Sequence, residues 1–264
     1  MAEVIGILSL KGGVGKTSSA ISLGKAISKF GKRVLIIDGN LSSPCIGIHL
    51  NILHKDNHLH NVLANKISPT DAIIEREDFD LIISDLFSRT KVNPLKLKDK
   101  IRYLKRKYDF IIVDSSPALN EETLGVMIAS DKLIVVTTPD APTLGTTIKA
   151  VKDAKQRGVQ ISGIVLNKVY NKDFEVDIND IEELVEVPVV AVIPHDPHFV
   201  KANSEFKPYI SVKPKSEASE EFFKLAAAIT GEKYRTFRLK DLFRKISPKK
   251  QDINRLVFYE SVFE

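Results

Sequence analysis

Short apolar runs rich in β-branched residues alternate with segments of helical periodicity along most of the chain. The runs are nearly continuous in apolar residues, which is typical of strands covered on both faces of a sheet. They predict strands at residues 4–10, 33–38, 79–84, 108–114, 132–139, 161–168 and 189–194. Because strand and helix alternate, we expect an α/β fold with a mostly parallel sheet and helices on both faces.

The segments between these runs carry helix signals. Helices are predicted at residues 17–31, 94–107, 120–130 and 216–231, the last opened by Ser216 and closed by Gly231. Residues 58–77 predict two short helices, broken where Pro69 follows Ser68. The pattern therefore predicts one α/β domain, residues 1–231, followed by a tail, residues 232–264.

The composition agrees with a single sizeable core, since 43% of the 264 residues are hydrophobic and 28% are charged. No stretch approaches the roughly 20 apolar residues that span a bilayer. The first ten residues predict a strand and lack the basic segment and cleavage site of a signal peptide. The one cysteine, Cys45, fits a reducing compartment. We therefore expect a cytoplasmic protein.

The stretch SLKGGVGKTSS, residues 9–19, lies between the first predicted strand and the first predicted helix. It ends like a phosphate-binding P-loop, although Leu10 stands where the pattern has its first glycine. Backbone N–H groups of the loop and of the helix N-terminus would cradle phosphates. Lys16 would reach the β- and γ-phosphates, and the Thr17 hydroxyl would coordinate Mg²⁺.

A carboxylate at the end of another buried strand completes such a site. Asp114, which ends the run YDFIIVD, is the predicted holder of Mg²⁺ or of its water, and Asp85 in LIISDLF is a rival on pattern alone. The turn at residues 114–120 favours Asp114, because it looks more like an active-site loop than DLFSRT does.

KGGVGKT, with Lys11 at its first position, resembles the deviant Walker A motif of the MinD/ParA family of P-loop ATPases. The resemblance extends over most of residues 2–231. RVLIIDGNLSSPCIGIHL is similar to the family's switch I segment, residues 108–117 to its Walker B and switch II region, and IVLNKV and VIPHDPHFVKANSEFKPYI to its adenine-binding segments. The run IP-D-x-x-V-x-x-A and the tail favour the MinD branch, archaeal MinD-like proteins above all, over DNA-partitioning ParA proteins.

The resemblance implies ATP or ADP with Mg²⁺ as cofactors, and an ATP-dependent homodimer in which Lys11 reaches the partner's ATP. It also implies that Asn167 hydrogen-bonds the adenine edge. For His195, which would line the base, the alternative is an ordinary loop histidine without a binding role. The implied ATP-binding residues are Lys11, Gly12, Gly13, Val14, Gly15, Lys16, Thr17, Ser18, Asn167, Pro194, His195 and Asp196. The implied metal residues are Thr17, Asp38 and Asp114, and the implied catalytic residues are Lys11, Lys16, Asp38 and Asn40.

Switch I departs from the family pattern. The family usually carries D-x-D here, and its second aspartate orients the attacking water. This chain has Asp38-Gly39-Asn40. An amide can hydrogen-bond water but cannot accept its proton. We therefore expect good binding of ATP and Mg²⁺ with slow hydrolysis in the absence of a partner; the alternative is that this subgroup uses Asn at ordinary rates.

The basic charge is concentrated near the end of the chain. Residues 232–250 hold eight Lys/Arg and two Asp/Glu, which leaves 31 Lys/Arg against 32 Asp/Glu elsewhere. At about 100° per residue, four apolar side chains of residues 238–246 fall within an arc of roughly 100°: Leu239, Leu242, Phe243 and Ile246. This pattern is typical of a basic amphipathic helix at a membrane surface. Packing on its own domain and binding of a protein partner are the alternatives. MinD's helix ends the chain, whereas residues 247–264 follow here.

Three functions are compatible with these signals. The first is a positioning ATPase that dimerises with ATP and binds the membrane and a protein partner or activator. The others are an ATP-dependent small-molecule ligase of the same superfamily and a DNA-partition ATPase. The near-neutral body argues against nucleic acid, and the basic segment 94–107 is interpreted as a solvated helix face.

A metal site at His54, His58 and His60 is an alternative to a solvated loop. One cysteine is too few for an iron–sulfur cluster bridging two subunits.

Overall fold

The computed structural model describes residues 1–52 and 56–234. Within these ranges, seven parallel strands form one sheet in the order β3-β2-β4-β1-β5-β6-β7. The strands are β1 (Glu3–Leu8), β2 (Val34–Asp38), β3 (Asp80–Ile82), β4 (Phe110–Asp114), β5 (Lys132–Thr137), β6 (Ile161–Val169) and β7 (Val189–Pro194). The predicted α/β fold is confirmed.

Helices cover both faces of the sheet. One face carries α1 (Lys16–Ser28), α2 (Ile46–His49), α8 (His198–Ser204), α9 (Tyr209–Val212) and α10 (Glu217–Thr230). The other carries α3 (Leu59–Leu63), α4 (Leu97–Leu104), α5 (Glu121–Ala129), α6 (Ala141–Gln156) and α7 (Ile178–Val185). No helix among the described residues is long and apolar enough to cross a membrane.

Two apolar cores explain why the strands are almost wholly hydrophobic. Successive side chains of a strand point to opposite faces, so Val4 and Leu8 join the core beneath α4–α7, whereas Ile5 and Ile7 join the core beneath α1 and α10. Every position of β2 and β4 is buried. In the described sheet, β2 and β4 are therefore covered on both faces, which explains why their residues do not alternate between apolar and polar.

The strand order brings together the loops that carry the candidate site residues. β1 lies between β4 and β5, and it leads to α1 on one face of the sheet, whereas its two neighbours lead to α5 and α6 on the other face. At such a reversal of strand order, a crevice opens beyond the carboxyl ends of the strands. The loop 9–15 after β1 and the loop 115–120 after β4 both open there. Because β2 and β4 pair in register, Asp38 lies directly beside Asp114.

The second short helix predicted in residues 58–77 is wrong. Residues 69–72 form one 3₁₀ turn, with Pro69 in its first position and a reciprocal capping box between Ser68 and Asp71. Ile74 then pairs antiparallel with Leu81 on the edge strand β3. Pairing at the sheet edge therefore overrides the helical periodicity of DAIIERE. The basic amphipathic segment with Leu239, Leu242, Phe243 and Ile246, and also His54, lie outside the described residues.

Candidate functional site

The loop after β1 depends on glycine at two positions. Gly13 and Gly15 have φ values of 78° and 92°, in the left-handed region that favours glycine. A Cβ on Gly15 would lie 2.2 Å from Nδ2 of Asn167, so no side chain fits there. A Cβ on Gly12 or Gly13 would meet only open space. Within residues 1–52 and 56–234, no protein acceptor bonds the N–H groups of residues 12–15. The loop therefore presents free donors at the start of α1.

Lys16 and Thr17 are held by the Asp114 carboxylate. The buried Lys16 Nζ lies 2.6 Å from Asp114 Oδ1 and also donates to the Ser115 carbonyl. The Thr17 hydroxyl donates to Asp114 Oδ2 at 2.6 Å. Asp85 lies elsewhere and accepts from the N–H of Phe87 at 3.1 Å. Of the two rival carboxylates, Asp114 is therefore the one placed at the loop.

Asp38 and Asp114 form a buried pair of carboxylates. Burial raises the pKa of Asp38 to about 7, and the neighbouring charge of Asp114 adds to the rise. The Ile46 N–H, 2.9 Å from Asp38 Oδ2, the charge of Lys16 and the Asn40 N–H oppose this rise in pKa. The Cys45 N–H also donates to Asp38 Oδ2 at 2.9 Å. Lys16 is the nearby ammonium group, so one positive charge faces two carboxyls. A divalent cation would relieve this imbalance.

Asn40 lies beside this pair and is 3% exposed. Its backbone N–H is 3.3 Å from Asp38 Oδ1, and its Nδ2 donates to the Ser43 carbonyl. Its Oδ1 is buried and has no partner in the part of the chain that the structure describes. A buried acceptor without a donor costs about 1–3 kcal/mol. The arrangement therefore suits a bound water or ligand group as the missing donor.

A cavity of about 420 Å³ joins these residues, a size typical of small-ligand sites. Its lining combines the phosphate loop, switch I and the segment after β7. The lining residues are Lys11, Gly12, Gly13, Gly15, Lys16, Thr17, Ser18, Asn40, Cys45, His49, Pro117, Asn167, Lys168, Pro194, His195, Asp196, Phe199, Val200 and Asn203. The free loop donors, the orphaned Asn40 oxygen and the two carboxylates fit a magnesium–nucleotide group.

The end of β6 holds the phosphate loop in place. Asn167, which is buried, donates from Nδ2 to the Val14 carbonyl at 2.7 Å, and Lys168 donates from Nζ to the Gly13 carbonyl at 2.6 Å. Asn167 therefore holds the phosphate loop as well as lining the cavity where adenine contact is predicted. Lys168 was not singled out from the sequence, because the loop contact spans 155 positions.

His195 and Asp196 have different surroundings. The His195 ring lines the cavity and stacks on Tyr170, with ring centroids 4.4 Å apart and planes inclined by 20°. Asp196 accepts hydrogen bonds from the His198 N–H at 2.9 Å, the Tyr209 hydroxyl at 2.7 Å and Lys213 Nζ at 2.9 Å. Burial alone would raise the pKa of Asp196, but these bonds hold it well below its usual range. Asp196 thus anchors the wall of the cavity.

Asp196→Ala should destabilise the fold by about 2 kcal/mol, because hydrogen bonds to a charged group are lost. Since the folded pKa is depressed, this contribution is present above the unfolded value of about 3.9 and is lost as pH falls through the lower folded pKa. Urea unfolding at neutral and acidic pH measures both effects. Asp173→Ala, at an exposed aspartate nearby, is the control; equal losses in the two variants would contradict the assignment.

Lys11 lies apart from Lys16. Its Nζ donates to the Thr143 hydroxyl and lies 3.3 Å from Asp140 Oδ1. Burial alone would raise the pKa of Asp140, but hydrogen bonds from Thr138, Thr143 and Lys11 lower it to about 2. The Lys11 side chain is 44% exposed, at the border between the main cavity and a second one of about 300 Å³.

The histidine alternative gains no support from the described residues. His58 and His60 pack edge to face at 5.4 Å, and burial lowers the pKa of both. Among these residues, no group of three or more His, Cys, Asp and Glu is arranged to hold a metal ion. The predicted magnesium set has only two carboxylates and a hydroxyl, which agrees with the habit of Mg²⁺ to keep waters and phosphate oxygens as ligands.

Two family models match the chain. One, described as an AAA domain, covers residues 2–161. The other, described as 4Fe-4S iron sulfur cluster binding proteins of the NifH/frxC family, covers residues 94–245. Such clusters are held by cysteine thiolates, and Cys45 is the single cysteine and lies outside the second range. The second match therefore indicates a similar fold over residues 94–245, and the cysteines that would hold a cluster are not in that range.

Similar proteins cover nearly the whole chain. An uncharacterized ATP-binding protein of Methanocaldococcus jannaschii is 33% identical, with 89% of this chain and 90% of the relative covered. The septum site-determining protein MinD of Bacillus subtilis is 27% identical, with 88% and 90% covered. The structure of MinD from Pyrococcus horikoshii, complexed with Mg-ADP, has a TM-score of 0.81 and 32% identity, with 86% and 95% covered. The chain belongs to the MinD/ParA family of P-loop ATPases.

Proposed function

We propose that this ATPase is a MinD-like switch, which dimerises with ATP and positions a cellular assembly at the membrane. The observation that carries the proposal is the different placement of the two lysines in KGGVGKT. Lys16 is buried against Asp114 inside the phosphate loop, whereas Lys11 stands at the cavity border beside Asp140. A lysine in that position is available for the nucleotide of a second subunit.

The cofactors are ATP or ADP and Mg²⁺. Lys16 and the loop N–H groups would bind phosphate oxygens, and Thr17, Asp38 and Asp114 would hold the cation. When bound, Mg²⁺ neutralises charge on the phosphate oxygens. Asn167, Pro194, His195 and Asp196 would line the base, with Tyr170 supporting the His195 ring.

We expect hydrolysis to be slow because of Asn40. Its carboxamide can orient a water at the unpartnered Oδ1 but cannot take a proton from that water. Positioning and charge stabilisation by Lys11, Lys16 and Mg²⁺ would supply the remaining catalysis. Slow turnover suits a switch whose ATP-bound state persists until a protein partner arrives.

Lys11→Ala should retain ATP binding while losing ATP-dependent dimerisation. The reason is that Lys11 bonds Asp140 and Thr143, whereas Lys16 bonds Asp114, and the proposed target of Lys11 belongs to the other subunit. Sedimentation velocity with ATP and with ADP measures the dimer, and calorimetry measures nucleotide affinity. Lys149→Ala, at an exposed lysine on α6, is the control. A variant that still dimerises with ATP would sink the switch proposal.

The proposed division is an ATPase domain, residues 1–231, and a membrane-contacting tail, residues 232–264. The tail carries Leu239, Leu242, Phe243 and Ile246 among basic residues. A single short helix binds lipid weakly, so two tails brought together by an ATP dimer would gain affinity through avidity. On this proposal, the protein works in the cytoplasm and attaches reversibly to the inner face of the cell membrane.

A further inference from the structure

A second basic segment lies within the folded domain. Residues 89–107 hold nine Lys/Arg and one acid, Asp99. When this segment and residues 232–250 are set aside, the remaining residues hold 22 Lys/Arg and 31 Asp/Glu. The chain outside residues 232–250 is close to neutral as a whole. It consists, however, of one strongly basic segment and an acidic remainder. We call one surface of this segment the α4 face: Arg89, Lys91, Lys96, Lys98, Arg102, Tyr103 and Arg106, all exposed.

The cations of the α4 face differ from their neighbours in lacking acidic partners among the described residues. Lys105 and Lys107 of the same segment pair with Asp131 and Glu75, at 2.7 and 3.7 Å. For the six cations of the face, the described part of the chain supplies no ion pair. Six unpaired cations on an acidic body repel one another, and an anionic partner would remove that repulsion.

The apolar groups on this side of α4 distinguish between anionic partners. Leu97, Ile101 and Leu104 are buried, so the opposite side of the helix faces solvent. There Tyr103 is 66% exposed and Leu95, just before the helix, is 38% exposed. A bilayer interface accommodates an aromatic ring and an aliphatic chain among cations. The backbone of a DNA duplex offers them no such environment.

The tail begins on the other face of the sheet from α4. The helix α10, which leads into the tail, packs in the core beneath α1, whereas α4 packs in the opposite core. Glu232 pairs with Lys32 at 2.9 Å, and the adjacent Arg33 pairs with Asp109 at 2.9 Å. The α4 face is therefore a surface separate from the start of the tail.

We propose that the α4 face is a second membrane contact, which binds anionic lipid headgroups while the tail supplies the apolar anchor. This inference rests on the proposed membrane switch and adds a separate surface to it. Cations near an anionic leaflet each contribute a roughly fivefold gain in affinity, and stable attachment needs more than one signal.

The test is co-sedimentation of the full chain with ATP on phosphatidylcholine vesicles, with and without phosphatidylglycerol. Arg102→Glu with Arg106→Glu should lower binding to anionic vesicles by at least roughly twentyfold, because two attractive charges are removed and two repulsive ones added. ATPase activity in solution should be unchanged. Lys149→Glu with Lys152→Glu, exposed on α6, makes the same change in net charge and should lower binding far less.

Three results would overturn the α4 proposal. If both double variants lose binding equally, net charge rather than this face is responsible. If the Arg102/Arg106 variant binds like wild type while Leu239→Glu with Phe243→Glu is released, the tail acts alone and the membrane switch survives. If wild type binds no vesicles with ATP, the membrane part of the proposed function fails too; loss of duplex-DNA binding in the Arg102/Arg106 variant would then assign the face to nucleic acid.

Discussion

Lys16→Ala is expected to weaken ATP binding strongly, so that concentrations that saturate the wild type no longer saturate the variant. Lys16 is the buried cation of the site, and its Nζ is already held 2.6 Å from Asp114 Oδ1 at the mouth of the loop. Hydrogen bonds to charged groups contribute about 1.5–3 kcal/mol, so affinity should fall by roughly 10- to 150-fold from this contact alone. The loss also leaves Asp38 and Asp114 without their neighbouring positive charge.

Calorimetric titration with ATP and Mg²⁺ measures this loss. Lys29→Ala, directly after the same helix and exposed to solvent, is the matched control and should bind like the wild type. Because removing one member of a buried ion pair destabilises a fold by about 3–5 kcal/mol, the variant's unfolding must be measured in parallel. A folded Lys16→Ala protein with wild-type affinity would place the phosphates elsewhere.

The phosphate site could be predicted because its parts follow simple rules of position. Loops after neighbouring parallel strands meet at one edge of the sheet. Lys16 and Thr17 begin the helix that follows the loop after β1, and Asp38 and Asp114 end β2 and β4. The register of β2 on β4 brings the two carboxylates side by side. The motif and the family resemblance named these residues, and the strand order that brings them together is seen in the structure.

The side chains that hold the loop and the neighbouring residues of the site in place could not be predicted from the sequence. The bonds from Asn167 and Lys168 to the loop carbonyls join positions more than 150 residues apart, and no local pattern encodes them. The same holds for the Tyr170 ring behind His195 and for Asp140 beside Lys11. The 3₁₀ turn at Pro69 was missed because pairing of Ile74 with Leu81 depends on a neighbouring strand.

The charge of the surface shows a related limit. The summed charge of the chain outside the tail is close to zero, which argues against a uniformly basic nucleic-acid-binding surface. The net charge does not show how the charges are distributed. The cations of residues 89–107 lie on one helix and its flanking loop, whereas acidic residues are spread over the remainder. Net charge therefore excludes a uniformly basic surface and does not exclude a local one.

Asn40→Asp is expected to raise single-turnover ATP hydrolysis by at least roughly tenfold, since a positioned general base contributes about 10²–10⁴ in rate. The substitution nearly preserves shape and places a carboxylate where the buried Asn40 Oδ1 lacks a donor. It also has a cost. The Asn40 Nδ2 donor to the Ser43 carbonyl is lost, and a third carboxyl joins Asp38 and Asp114.

These two effects are separable by experiment. The lost bond and the added charge should lower the free energy of unfolding by about 1–3 kcal/mol without Mg²⁺ and ATP, and by less when the cation is bound. Asn40→Ala removes the orphaned acceptor without adding a base, so it should be no faster than wild type. Equal single-turnover rates for wild type and Asn40→Asp would mean that residue 40 does not limit hydrolysis. A faster Asn40→Asp enzyme that still dimerises with ATP would instead assign the slow step to the missing carboxylate, leaving the dimer switch on Lys11 intact.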